Sequence, residues 1–433
     1  MGSRHSWSPL LETGGVLVDL ANLNAVRIEQ TNTAPTAIVE AGCRIRRLVA
    51  ELLTSGYTPQ SLGLILQQTI AGASATGTHG SGRHSLSHYL TAVRIAHYDP
   101  ATNEPRITEV TEGDTLKAAR CSLGCLGIVT GVRIAIRERF QIEEHFRRYN
   151  SVAEVVAAES KFDLQQFFLV PWNWSLYAQH RRDVSAPRSW HAPLYRLYWA
   201  LGMDVAFHLI VLALARALPD KSPKVFYRSI MPWLVPRGWK VVDRSDRQLT
   251  MRHELFRHIE IEMFVPAQYL NEAIRTTQEL LEYVAGDNPA PSLPAIPASL
   301  QAEWTAARGV YRHHYPICIR KVLGDDTLIS MSSGPEAWYA LSFISFSRPD
   351  RRQGFFQFAT LLCGLMGHWF GARPHWGKWC PLAPTEVERL YPQWSRFRAI
   401  AENFDPSGRF RGTWLDPFLE PSPALSNEQG PPG

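Results

Sequence analysis

A chain of 433 residues with 45% hydrophobic content can bury more than one core, which excludes a fibrous or disordered protein and predicts at least two globular domains. Lys and Arg number 45 against 40 Asp and Glu, and this surplus of +5, scattered along the chain, argues against nucleic acid as the partner. Six cysteines without a C-x-x-C pair read as reduced, buried thiols, and Cys121 and Cys125, four apart, have no His or Cys pair beside them to complete a metal site, so none is assigned.

The chain opens on "GSRHSWSPL", where Gly2, Ser3, Arg4, His5 and Ser6 form a small, turn-prone cluster around an imidazole. No charged and apolar leader precedes it, which predicts a cytoplasmic protein. "GVLVDLANLNAVRIEQ" and "TAIVEAG" read as strands separated by the turn-forming "TNTAP". From Ile45 the period changes: Leu48, Val49, Leu52 and Leu53 recur at helical spacing, and Gly56 is placed to end the helix.

A second glycine cluster, "TIAGASATGTHGSGRHS", sets Gly72, Gly77, Gly80 and Gly82 among small residues. A backbone so bare can present several N–H groups to an anion such as a pyrophosphate, although composition does not choose the ligand. Neither cluster is a Walker loop or a Rossmann fingerprint. "TAVRIAHYD", "ITEVTE" and "SLGCLGIVTGVRIAIRERF" supply further strands, closing an α+β unit over residues 1–140.

The second unit, residues 141–420, begins with a strand and helix in "QIEEHFRRYNSVAEVVAAES" and repeats that rhythm in "HIEIEMFVPAQYLNEAIRTTQELLEYV". Between them "LYWALGMDVAFHLIVLALARAL" is strongly apolar, yet Asp204 and His208 interrupt it. It predicts a helix packed inside its domain, with peripheral membrane contact as the alternative. A proline-rich loop follows at "GDNPAPSLPAIPAS", and residues 421–433 form a polar tail expected to be disordered.

"GSRHSWSPL", "LGLILQQTIAGASATGTHGSG", "SLGCLGIVTGVRI", "RPHWGK" and "DPSGRF" occur in the order and spacing of the aldonolactone and alditol oxidoreductases. The chain resembles these flavoproteins, which include gulonolactone, galactonolactone and arabinonolactone oxidases, from its first residue to about Leu419. The resemblance implies a vanillyl-alcohol-oxidase (PCMH) type FAD domain that lacks its first strands, and an α+β cap. It implies FAD held by Gly2, Ser3, Arg4, His5, Ser6, Gly63, Gly72, Thr76, Gly77, Thr78, His79, Gly80, Gly127 and Ile128. His5 matches a histidine often bonded covalently to the flavin 8α-methyl.

The implied reaction oxidises an alcohol carbon of an aldonolactone or related polyol, with hydride passing to flavin N5 and molecular oxygen as the acceptor. Arg320 and Lys378 are the implied catalytic cations, and His375 orients the substrate or carries its hydroxyl proton. Gly63 matches a glycine of typical oxidases. Leu64, Leu66 and Cys318 stand where the family carries polar residues, a departure that bears on the substrate. Two other readings stay open: a flavin protein with little turnover, and a dehydrogenase using a quinone or cytochrome.

Overall fold

The computed structural model describes residues 2–30, 34–218, 221–235, 238–251 and 258–420. Within them the strands form two antiparallel sheets. The first contains β1 (Val26–Glu29), β2 (Thr36–Glu40), β3 (Tyr57–Pro59), β4 (Leu90–Tyr98), β5 (Pro105–Val110) and β6 (Ile128–Glu138), in the order β1-β2-β6-β4-β5 with β3 also paired to β6. Val132, Ile134 and Ile136 alternate inward from β6 and meet Leu48 and Leu52 of the helix Ile45–Thr54. That helix ends as expected: Gly56 takes φ +83° and its N–H reaches the Leu53 carbonyl at 3.2 Å.

The second sheet contains β7 (Gln141–Tyr149), β8 (Gln166–Leu169), β9 (Leu176–Val184), β10 (Val241–Arg244), β11 (Ile259–Pro266), β12 (Ile317–Val322), β13 (Trp338–Ser345) and β14 (Arg373–Pro374). Their order is β10-β7-β9-β8-β12-β13-β11-β14. Strand periodicity sorts its two faces. Ile261, Met263 and Val265 of β11, with Leu341 and Phe343 of β13, pack under the helices Leu270–Val284 and Gln353–Phe370. Glu260 and Glu262 therefore face the other way, and the register sets Cys318, Ser342 and Glu262 side by side across β12, β13 and β11.

The mixed α+β class is as expected, but three local expectations are corrected. Among the described residues no strand forms before Val26: Val16, Leu17 and Val18 lie in a loop along the rim of a cavity, with Val16 89% exposed. The second unit, expected over residues 141–420, does not keep all of its residues to itself either. Trp376, Tyr391, Trp394, Phe397 and Phe418 join the core of the first sheet, so the chain leaves β14 and returns to the first unit. The apolar segment forms the helix Ala192–Arg216, and only one side of it is packed inside: Leu194, Leu197 and Leu201 are each more than half exposed. The expected disordered tail lies outside the described residues.

Candidate active site

A cavity of about 760 Å³ is lined by residues of both sheets. Its first wall is made where the two glycine clusters meet. A Cβ on Gly2 would come 2.8 Å from Thr69 Oγ1 and 4.0 Å from Gly72 Cα, so only a bare backbone allows the approach. The opening turn bends through Arg4, which takes φ +59°. It is tied down downstream: Trp7 N–H donates to the Gly377 carbonyl at 3.1 Å, and Ser8 Oγ donates to the Trp376 carbonyl at 2.6 Å.

Gly2, Ser3, Arg4, His5, Ser6, Gly63, Gly72, Thr76, Thr78, His79, Gly127 and Ile128 all line this cavity. Gly77 and Gly80 do not. They shape the loop from behind, Gly77 with φ +72° and Gly80 with its Cβ position 2.5 Å from the Leu62 carbonyl oxygen. Gly127, at φ +131°, abuts the Ala96 carbonyl at 2.6 Å from its Cβ position. The residues fit a dinucleotide, because the bare loops leave room for it and Ser3 Oγ is buried with no hydrogen-bond partner in the protein.

The opposite wall carries charge. Arg320 on β12, Glu260 and Glu262 on β11, and His375 and Lys378 after β14 line the cavity together. Lys378 Nζ lies 2.5 Å from Glu260 Oε2 and 4.7 Å from the Trp7 ring centre. Glu262 Oε1 accepts from Ser342 Oγ at 2.8 Å and stands 3.4 Å from His79 Nε2. Burial opposes ionisation of both carboxyls. Lys378 and His258 overcome it at Glu260, and His79, Arg320 and Lys378 overcome it at Glu262, so both are held well below the usual carboxylate range.

Burial lowers the His375 imidazole to about 3, against a smaller opposing pull from Glu262. It is therefore neutral near pH 7. Its Nδ1 accepts the Gly377 N–H at 2.9 Å, which assigns the proton to Nε2 and makes that edge a donor. One ligand atom each from His79, Glu262 and His375 lie within 4.8 Å of one another, a spacing that a metal ion could also use. With His375 Nδ1 and Glu262 Oε1 already hydrogen-bonded, the trio is suited to passing a proton.

Sequence reasoning did not assign Glu260, Glu262, His258 or Phe346 to the site. The signal for the two glutamates was "IEIEMFVP", whose alternation sets two carboxylates on the face opposite the apolar core. Of the three departures from the family pattern, Leu64 lines the cavity, whereas Leu66 and Cys318 do not. Cys318 Sγ instead lies 3.5 Å from Arg320 Nε, and burial pushes its thiol up.

Beside Glu260 the lining mixes apolar Ile344 and Phe346 with Asp204, His208, His258 and Tyr315. The His258 and Phe346 rings are 5.6 Å apart, and Phe346 is 5.5 Å from His208 on the helix Ala192–Arg216. Met251 N–H donates to the Leu64 carbonyl at 2.8 Å, joining two further apolar lining residues.

Residues 133–418 match the D-arabinono-1,4-lactone oxidase family, and residues 1–99 match an FAD binding domain. A long-chain alcohol oxidase from an uncultured marine euryarchaeote is 47% identical over 97% of this chain and 89% of its own length. The L-gulono-1,4-lactone dehydrogenase of Mycobacterium tuberculosis is 25% identical, covering 97% of this chain and 90% of its own. A solvent-stable cholesterol oxidase shares the fold at a TM-score of 0.72 and 14% identity, over 96% of this chain and 89% of that one.

Proposed function

Because the chain belongs to the D-arabinono-1,4-lactone oxidase family of FAD-dependent oxidoreductases acting on CH–OH groups, we propose that its own substrate is a primary alcohol on a long apolar chain. The observation that carries this reading is the apolar share of the cavity lining, with Leu64, Met251, Ile344 and Phe346 in the same wall as the polar cluster. A sugar lactone carries several hydroxyls, and each one left unpaired in a dry site costs about 1 to 3 kcal/mol. An alkyl chain gains about 0.8 kcal/mol for each CH₂ it buries. The name of the 47%-identical relative points the same way.

FAD, held by the bare loops around Gly2, Gly72 and Gly127, supplies the hydride acceptor. Glu262, ionised and within 3.4 Å of the His79 imidazole, accepts the hydrogen of the substrate hydroxyl. The neutral His375 donates a hydrogen bond that orients the alcohol oxygen. Lys378 and Arg320 stabilise negative charge that develops on the cavity's polar side. Gly63 in the wall favours molecular oxygen as the final acceptor, by the family resemblance alone. His5 lines the same wall as Gly2, which supports it as the site of a covalent tether.

A second reading, oxidation of an aldonolactone, is favoured by one observation: the density of hydrogen-bonding side chains around Glu262 and Arg320. One experiment separates the two. The purified yellow protein is given straight-chain alcohols of increasing length and a panel of lactones and alditols, with peroxide and dye reduction followed together. The alcohol reading expects kcat/KM to climb roughly threefold or more per added CH₂ until the apolar lining is covered. Turnover of gulono- or arabinono-lactone with no response to alcohol length would overturn it, and dye reduction without peroxide would identify a dehydrogenase.

A further inference from the structure

We propose that the helix Ala192–Arg216 docks on an anionic lipid leaflet and that its inner side forms part of the wall of the substrate passage, so that alcohol enters from the membrane. The entry route rests on the alcohol reading above; the membrane contact does not. The helix is 25 residues long, and only 17% of its most apolar stretch is buried. Leu194, Leu197 and Leu201, at i, i+3 and i+7, share its outward face, each 53–58% exposed. Val225 at 61%, on the short helix Ser222–Ser229, and Ile230 at 50%, just after it, are exposed apolar residues of the same segment. Monomeric soluble proteins rarely leave so large a patch uncovered.

Charge says what covers it. Residues 188–240 hold eight Lys and Arg against two Asp, a surplus of six. The rest of the chain holds 37 basic and 38 acidic residues, so the whole positive charge of the protein sits in its most apolar segment. Part of this surplus is met inside the protein, Arg188 and Arg196 by Asp243, Lys224 by Asp287 and Lys240 by Glu143. An apolar surface in a segment of positive surplus fits acyl chains below acidic headgroups, and a second copy of the same face would bring like charges together. Trp190, 89% exposed at the edge of the patch, suits the headgroup level.

The helix does not cross a bilayer in this arrangement, because its other side belongs to the protein. Phe207, Val211 and Leu214 pack against Phe226, Tyr227 and Phe346. Between Trp199 and Phe207 the helix widens into π-helical turns, and Asp204 and His208 line the cavity from there. His208 Nε2 lies 3.4 Å from Tyr315 Oη. The same element thus has a lipophilic outside and a cavity-facing inside.

The test is flotation of the full-length holoprotein with vesicles of phosphatidylcholine alone or with 30 mol% phosphatidylglycerol added, a composition of about one anionic lipid in three. Flotation with the anionic vesicles is expected, and Leu194→Ser/Leu197→Ser/Leu201→Ser should reduce it roughly tenfold or more. Lys221→Glu/Lys224→Glu, which leaves the apolar face intact, should also release the protein by roughly tenfold. Both variants should retain flavin absorbance and turnover of a short soluble alcohol, while losing turnover of hexadecanol carried in vesicles. Failure of the parent protein to float, equal flotation with both vesicles, or a dimer that hides the patch and ignores lipid overturns the docking. If flotation follows the expected pattern but no alcohol is oxidised, the surface stands and the entry route falls.

Discussion

Lys378 Nζ sits 2.5 Å from Glu260 Oε2 in the wall of the cavity, the ammonium over the Trp7 ring of the opening turn and the carboxylate on β11 of the second sheet. One ion pair therefore joins the dinucleotide loop to the substrate sheet. Lys378→Met leaves Glu260 buried without its main counter-charge, and breaking such a pair costs about 3 kcal/mol or more. Glu260 is depressed in the folded state, so the pair's stabilisation is present above the ordinary carboxyl value of 4.5 and is lost as pH falls through the folded value. In the variant the carboxyl rises instead. The stability gap between parent and variant should be largest near pH 7 and narrow below pH ~4.5, as read by denaturant midpoints.

Ser3 Oγ is buried and unpaired, so its role separates from folding. Ser3→Ala removes a hydroxyl that the protein alone cannot satisfy, and the apoprotein should gain about 1 kcal/mol. If that hydroxyl bonds the dinucleotide, FAD retention should weaken about fivefold in the same variant, measured by flavin release. A variant that loses stability and holds FAD unchanged would give Ser3 a purely structural place.

His5→Ala tests the tether. Flavin fluorescence should stay with the parent polypeptide after denaturation and wash away from the variant. Fluorescence that washes away from the parent as well removes the covalent assignment and leaves the cavity intact.

Much of this arrangement could be read in the chain because it follows from local rules. The alternation of β11 and the glycine density around Gly72 both encode backbone behaviour over a few residues. What the periodicity hid was long-range. Glu260 meets Lys378 across 118 residues, and the return of Trp376 and Trp394 to the first core depends on where β14 ends. The exposed face of Ala192–Arg216 was misread for a related reason: apolar content predicts burial, but it does not say whether protein or lipid does the burying.

Three histidines give a pH signature. His313 and His375 are lowered to about 3 and His314 to about 4, each chiefly by burial. A folded value below the unfolded 6.5 means that the unfolded chain binds the proton first, so stability is complete above pH ~6.5 and falls as pH drops toward the folded values. Between pH 5 and 6, where most carboxylates are still charged, unfolding should take up roughly three protons from these sites. The slope of unfolding free energy against pH measures this directly, and a flat profile from pH 7 to 5 would contradict it.

Met251 offers the sharpest probe of the apolar lining. It lines the cavity, is 37% exposed and is tied to Leu64 through its backbone, so its side chain can change without opening a core. Met251→Glu places a carboxylate where a long alkyl chain would lie. The penalty should fall on chain binding rather than on proton transfer at Glu262, so KM for decanol should rise by about tenfold or more while kcat changes little. Butanol, which buries far less alkyl chain, should be affected much less. Equal losses for both alcohols would mean that Met251 supports the site by packing; a loss for neither would mean that the chain takes another path, and the apolar lining would no longer argue for a lipid alcohol over a sugar lactone.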